Sequence, residues 1–178
     1  MTPLTPTARL LDAIHFAAQR HRDQRRKDRE ASPYINHPVA LAQLLAVDIG
    51  IDDPDVLMAA ILHDTVEDTE TTLDELRERF GAAVAGIVDE VTDDKALPKH
   101  QRKALQVAHA PHKSPGASLV KLADKICNLR DIASSPPADW SLQRRREYFD
   151  WAKQVIDGLP PVNAALLALF EQAYALRP

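Results

Sequence analysis

An imidazole and a carboxylate stand side by side at His63-Asp64, within the apolar, helix-like run that begins Val56-Leu57-Met58-Ala59-Ala60-Ile61-Leu62. Polar groups placed where hydrophobic ones are expected need partners or a ligand. Two further candidates have local order of their own: His37, just before Pro38, and Asp124, in the amphipathic segment from Leu119 to Leu129. Together the four would make a mixed nitrogen and oxygen set suited to a divalent transition metal. Glu67 lies four residues after His63, and Asp68 four after Asp64. On a helix both carboxylates would sit one turn further along the same side, where clustered negative charge calls for a cation. A divalent ion would supply it, and an outer carboxylate could orient a water or take its proton. Taken alone, these residues leave a blander reading open: a buried hydrogen-bonded His-Asp pair, a solvated acidic helix end and a surface Asp124.

Positive charge gathers on either side of the candidates in sequence. Arg20, Arg22, Arg25, Arg26 and Lys27 form one group, Lys95, Lys99, Arg102 and Lys103 a second, and Lys121, Lys125 and Arg130 flank Asp124. On a chain of net charge -4 such groups suggest a substrate bearing several phosphates rather than a long polyanion. Tyr34 and Tyr148 could stack on a base or reach a ribose, or simply pack. His21 could orient the segment leading to His37 or merely pack, and His15, His100, His109 and His112 have no partner pattern.

These residues require helices to position them, and nearly every segment has helical periodicity. Leu11, Ile14, Ala18 and His21 predict a helix from Ala8 to about Gln24. Pro38 reads as a first helical residue and Gly50 as the cap that ends that helix. Asp53-Pro54 starts the helix carrying His63-Asp64, Thr72 to Glu75 form a capping box, and Gly81 closes the helix that follows. Further helices are expected over Ala82 to Thr92, Lys99 to Ala110, the stripe of Leu119, Leu122, Ile126, Leu129 and Ile132, Ser141 to Asp157, and Val162 to Leu176. Asp124 and Asn128, four apart, share a face beside that stripe.

The expectation is therefore an all-α helical bundle, with 178 residues forming a single domain. A pI of about 6.0 argues against a nucleic-acid partner. The single cysteine, Cys127, precludes an internal disulfide. The first ten residues lack the apolar core of a signal peptide, and no apolar run reaches the ~20 residues of a membrane span, so a cytoplasmic protein with no membrane partner is expected. The five glycines form neither a dinucleotide fingerprint nor a P-loop.

Ordered stretches from His21 to Trp151 carry a family resemblance: His21-Arg22-Asp23-Gln24-Arg25-Arg26-Lys27, Pro33-Tyr34-Ile35-Asn36-His37-Pro38, Ala60 to Asp68, Val91 to Lys95, Lys121 to Lys125, Asn128-Leu129-Arg130 and Glu147-Tyr148-Phe149. The chain resembles the HD-domain phosphohydrolases, specifically the small alarmone hydrolases of the RelA/SpoT type and their metazoan branch. The resemblance implies an all-helical hydrolase that removes the 3′-pyrophosphate from guanosine tetraphosphate or pentaphosphate, with Mn2+ as the usual metal and other divalent transition metals as alternatives. It implies His37, His63, Asp64 and Asp124 as ligands, and Glu67 with Asp68 as the pair that activates water. It also puts Arg26, Lys27, Tyr34, Lys99, Asn128, Arg130 and Tyr148 around the nucleotide. Cys127 and Asp131 depart from the larger relatives, which bears on base recognition. Related chemistries consistent with the resemblance are removal of the NADPH 2′-phosphate and a nucleotide-sensing protein without catalysis.

Overall fold

The computed structural model describes residues 4–178, and among these 69% are helical with no strand. The all-α expectation is borne out. The chain forms two compact units, one built from the described residues up to Gln24 together with Pro33–Thr92, the other from Arg25–Ser32 together with Asp93–Pro178.

The first unit contains helices α1 (Pro6–Arg20), α2 (Asn36–Gln43), α3 (Pro54–Leu62), α4 (Thr65–Asp68), α5 (Leu73–Phe80) and α6 (Ala82–Val91). Helix α3 is its centre: every residue from Val56 to Leu62 is buried, and α1, α2 and α6 pack around it. Its start is set by Asp53, whose carboxylate accepts from the amides of Asp55 and Val56, with Pro54 pre-set for the first turn. Thr72 caps α5 through the Glu75 amide, and Gly81 ends it at φ 99°, a conformation that favours glycine.

Several boundaries differ from the sequence expectation. Helix α1 begins earlier, with Thr5 as its cap, and stops at Arg20 rather than near Gln24, because the chain turns at His21. Helix α2 begins at Asn36, so Pro38 lies inside its first turn. The turn after α2, Leu44–Asp48, widens to π-helical bonding before Gly50 turns the chain at φ 79°.

The second unit contains α7 (Lys99–His109), α8 (Pro115–Ser134), α9 (Leu142–Asp157) and α10 (Ala164–Tyr174). Ser114, Ser141 and Asn163 each cap the helix that follows with a side-chain oxygen. Helix α8 is central here, packed by α9 and α10 and buried along most of its length from Ala117 to Ile132. That burial includes three charged residues, Lys121, Asp124 and Lys125. Buried charges must be paired or serve a ligand.

Candidate metal centre

His63 and Asp64 do not continue a helix as the sequence expectation had it; they form the corner where α3 ends and α4 begins. Side chains take over the carbonyls at this corner. The Thr65 hydroxyl donates to the Leu62 carbonyl at 2.7 Å, and His63 Nδ1 lies 2.8 Å from the Ala60 carbonyl. A carbonyl only accepts, so the ring proton belongs on Nδ1 and the lone pair on Nε2. This is the arrangement of a metal-ligating histidine whose second nitrogen is anchored to the backbone.

Nε2 of His63 lies 2.9 Å from Asp64 Oδ2. Lone pairs facing at that distance need a shared cation, either a proton or a metal. It is also the spacing of two donors on adjacent corners of one ion, since bonds of ~2.1 Å at a right angle subtend about 3 Å. The Tyr34 hydroxyl donates to the same carboxylate oxygen. The His37 ring, buried in the first turn of α2, stands edge-on to His63 with centroids 5.4 Å apart, and Tyr34 stands edge-on to His37 at 6.0 Å. Two imidazoles and a carboxylate thus belong to one packed group of the first unit. The donor set fits a divalent transition metal. Within α4, the Asp68 amide donates to the Asp64 carbonyl at 2.9 Å, so these two acidic residues do lie one turn apart. Glu67 and Asp68 are both half-buried.

In the second unit, Asp124 is 8% exposed and sits on α8 between two partners. Lys125 Nζ donates to Oδ2 at 3.1 Å and Asn128 Nδ2 to Oδ1 at 2.6 Å, as the i, i+4 spacing anticipated. Burial pushes the Lys125 pKa down, but the charge and hydrogen bond of Asp124 together with the charges of Tyr148 and Asp93 outweigh it, and the ammonium is held above its ordinary range. Lys121 goes the other way, to about 8, through burial and then the charge of Lys125. His37, His63 and Asp124 are each buried, and each offers a ligand atom able to hold a metal ion.

Arg26 connects to the same helix: its Nη2 donates to Asp131 at 2.6 Å and to Asn128 Oδ1 at 3.3 Å. Asn128 is therefore oriented, its amide nitrogen on Asp124 and its oxygen on Arg26. Asp131 is the ion-pair partner of Arg26. Tyr148 lies between Trp140 and Trp151, with centroids at 5.6 and 5.3 Å, and the ammonium groups of Lys103 and Lys125 stand over the Trp151 ring at 4.6 and 4.4 Å. The Lys99 ammonium is destabilised by burial and then by Arg144, Lys27 and Arg102; that of Lys103 by burial and then by Lys99 and Lys125. Cations that depress one another in this way suit a polyanionic ligand. Lys27 is exposed and Arg130 half-buried.

Residue types and spacing did not assign the outer partners. Gln24 Nε2 donates to Asp68 Oδ2 at 2.9 Å, His21 supports Gln24, and Trp151 lies beside Tyr148. The available signals were His21 and Gln24 three apart at the end of a helix, and Tyr148 and Trp151 three apart on one face.

The HD-domain family model matches residues 13–150. The chain is 59% identical over 169 residues to the guanosine-3′,5′-bis(diphosphate) 3′-pyrophosphohydrolase MESH1 of Homo sapiens, covering 93% of this chain and 94% of that one. It is 45% identical to the protein of the same name from Drosophila melanogaster, over 97% of this chain and 96% of that one. Among solved structures, one described as a metazoan ortholog of SpoT that hydrolyzes ppGpp is similar at a TM-score of 0.93 with 44% identity, covering 98% of each chain.

Proposed function

The chain belongs to the HD-domain family, and from that premise we propose that it hydrolyses guanosine tetraphosphate and pentaphosphate to GDP or GTP and pyrophosphate. The observation that carries the reading is identity of 59%, over almost the whole of both chains, to a relative named for that reaction. The oriented His63-Asp64 corner supports it independently.

In this reading His37, His63, Asp64 and Asp124 hold a divalent metal, Mn2+ in first place. Such an ion supplies positive charge beside the phosphates and makes a neighbouring water more acidic. The residues of the chain do the rest. Glu67 and Asp68 orient the water and take its proton as its oxygen attacks the phosphorus joined to the ribose 3′-oxygen. The bond from phosphorus to that oxygen breaks, its electron pair stays on the ribose oxygen, which gains a proton, and pyrophosphate leaves. Arg26, Lys27, Lys99 and Arg130 neutralise phosphate oxygens. Tyr34, Asn128 and Tyr148 border the nucleotide; the bonds already made by Tyr34 to Asp64 and by Asn128 to Asp124 fit residues that align ligands and substrate together.

Hydrolysis in 18O-labelled water with Mn2+ tests this directly. Label is expected in pyrophosphate and none in the nucleoside product; label in the nucleoside would withdraw the roles given to Glu67 and Asp68. Turnover of NADPH by the same preparation measures the related chemistry, and absence of pyrophosphate release from the alarmone would overturn the reading.

A further inference from the structure

We propose that His21 and Gln24 are positioning residues that hold Asp68 in its working orientation, an inference that rests on the reading of Asp68 as part of the water-activating pair. Both come from the turn that ends α1. His21 caps that helix through its amide to the Ala17 carbonyl, and the Gln24 amide returns to the His21 carbonyl at 2.9 Å, so the turn is closed on itself.

The side chains form a chain whose polarity is fixed from one end. The carboxylate of Asp68 can only accept, so the Gln24 group 2.9 Å from it is the amide nitrogen. The amide oxygen of Gln24 then faces His21 Nδ1 at 2.7 Å, and that nitrogen must donate. Turning the amide over would set oxygen against carboxylate at the Asp68 end. His21 is 2% exposed, and its Nε2 is buried with no hydrogen-bond partner, which suits an unprotonated ring nitrogen. The Nδ1–H tautomer of His21 thus sets the Gln24 amide, and the amide sets the Asp68 carboxylate.

The same turn reaches the other carboxylate of the corner. The backbone carbonyl of Gln24 accepts the Tyr34 amide at 3.1 Å, and the Tyr34 ring rests against the His21 ring at 4.9 Å while its hydroxyl donates to Asp64. One residue, Gln24, therefore holds Asp68 with its side chain and the Tyr34 segment with its backbone. A group that must accept a proton from a water needs one fixed geometry, and misplacement of a carboxylate by a fraction of its own size is costly in rate.

Two measurements test the chain. In the metal-free protein, 15N spectra of the His21 ring should show hydrogen on Nδ1 and none on Nε2; the opposite tautomer would overturn the proposal. In the Mn2+-loaded enzyme, Gln24→Met and His21→Phe should each lower kcat ~10-fold or more with KM within about twofold, the scale of losing an outer partner. The double variant should be no worse than either single one, and His21→Asn, which keeps a donor near the Nδ1 position, should recover part of kcat. If Gln24→Met does not fold, Gln24→Glu keeps the shape, sets a second carboxylate against Asp68, and should lower kcat at least as far. Asp68→Asn separates the two levels of the argument. If it leaves kcat unchanged, the reading of Asp68 falls; if it lowers kcat while the Gln24 and His21 variants retain full activity, the positioning role falls.

Discussion

His63 ties one ring nitrogen to the Ala60 carbonyl and turns the other towards Asp64. Asp64 is the partner that only an anion can replace. Asp64→Asn should lose metal and activity together, since an amide supplies neither the charge nor the affinity a divalent ion requires. Full metal content with normal turnover, measured by elemental analysis and pyrophosphate release, would contradict that role. Glu67→Gln should instead keep the metal and slow turnover by roughly 10²-fold, the usual scale for losing an acid-base group; loss of metal in that variant would make Glu67 a ligand. The polar pair was legible in the sequence because it breaks an apolar run. The protonation of His63 and the tether on Asp68 were not, because each depends on a hydrogen bond whose partner is set by how the backbone turns.

At the scale of elements, several helix starts were readable because their signals are local: Asp53-Pro54, Thr72 and Ser141 all act within one turn of themselves. The corner at His63-Asp64 and the π-helical turn at Leu44–Asp48 were not, since the pattern of these segments suits an unbroken α-helix. Gly81 shows how strictly one junction is specified. Its φ of 99° and ψ of 163° belong to a region almost closed to other residues, while a Cβ there would meet nothing within 4 Å. Gly81→Ala should therefore cost about 1–3 kcal/mol through the backbone alone. A urea denaturation midpoint identical to that of the parent would refute this. Arg79, near the end of α5, holds α1 by donating to both oxygens of Asp12 at 2.7 and 3.1 Å while lying over the Phe16 ring. The Arg79 hydrogen bond lowers the Asp12 pKa below its ordinary 3.8. Its contribution is thus complete above that value and disappears as pH falls through the lowered one. Because the pair is partly exposed, Arg79→Met should lose only about 0.2–1 kcal/mol of the ionic part at neutral pH. The stability gap between parent and variant should narrow as denaturation is followed below pH ~3.8; a constant gap would assign Arg79 to packing alone.

Across the whole molecule, each compact unit is organised round a largely buried helix, α3 in one and α8 in the other; His63 caps the end of the first, and Lys121, Asp124 and Lys125 are buried on the second. No helix of the described residues is long and apolar enough to cross a membrane. The unit boundaries follow packing rather than chain order: Arg25–Ser32 belongs with residues that come after Asp93, although the chain on either side of it belongs to the other unit. Arg26 illustrates the distance involved, because its partners Asn128 and Asp131 lie 102 and 105 positions downstream. Synthesis proceeds from the N-terminus, so a ribosome that has just released Thr92 has delivered every residue of the first unit while those partners do not yet exist. The excursion closes locally, the Arg26 amide on the Ser32 carbonyl and the Ser32 amide on Asp28, whereas the pairing of the Arg26 side chain with Asn128 and Asp131 is a late, long-range event. A chain halted at Thr92 should be cut by trypsin at Arg25, Arg26 and Lys27 far faster than the full chain, and equal protection of the two would show that the loop orders itself before its partners emerge.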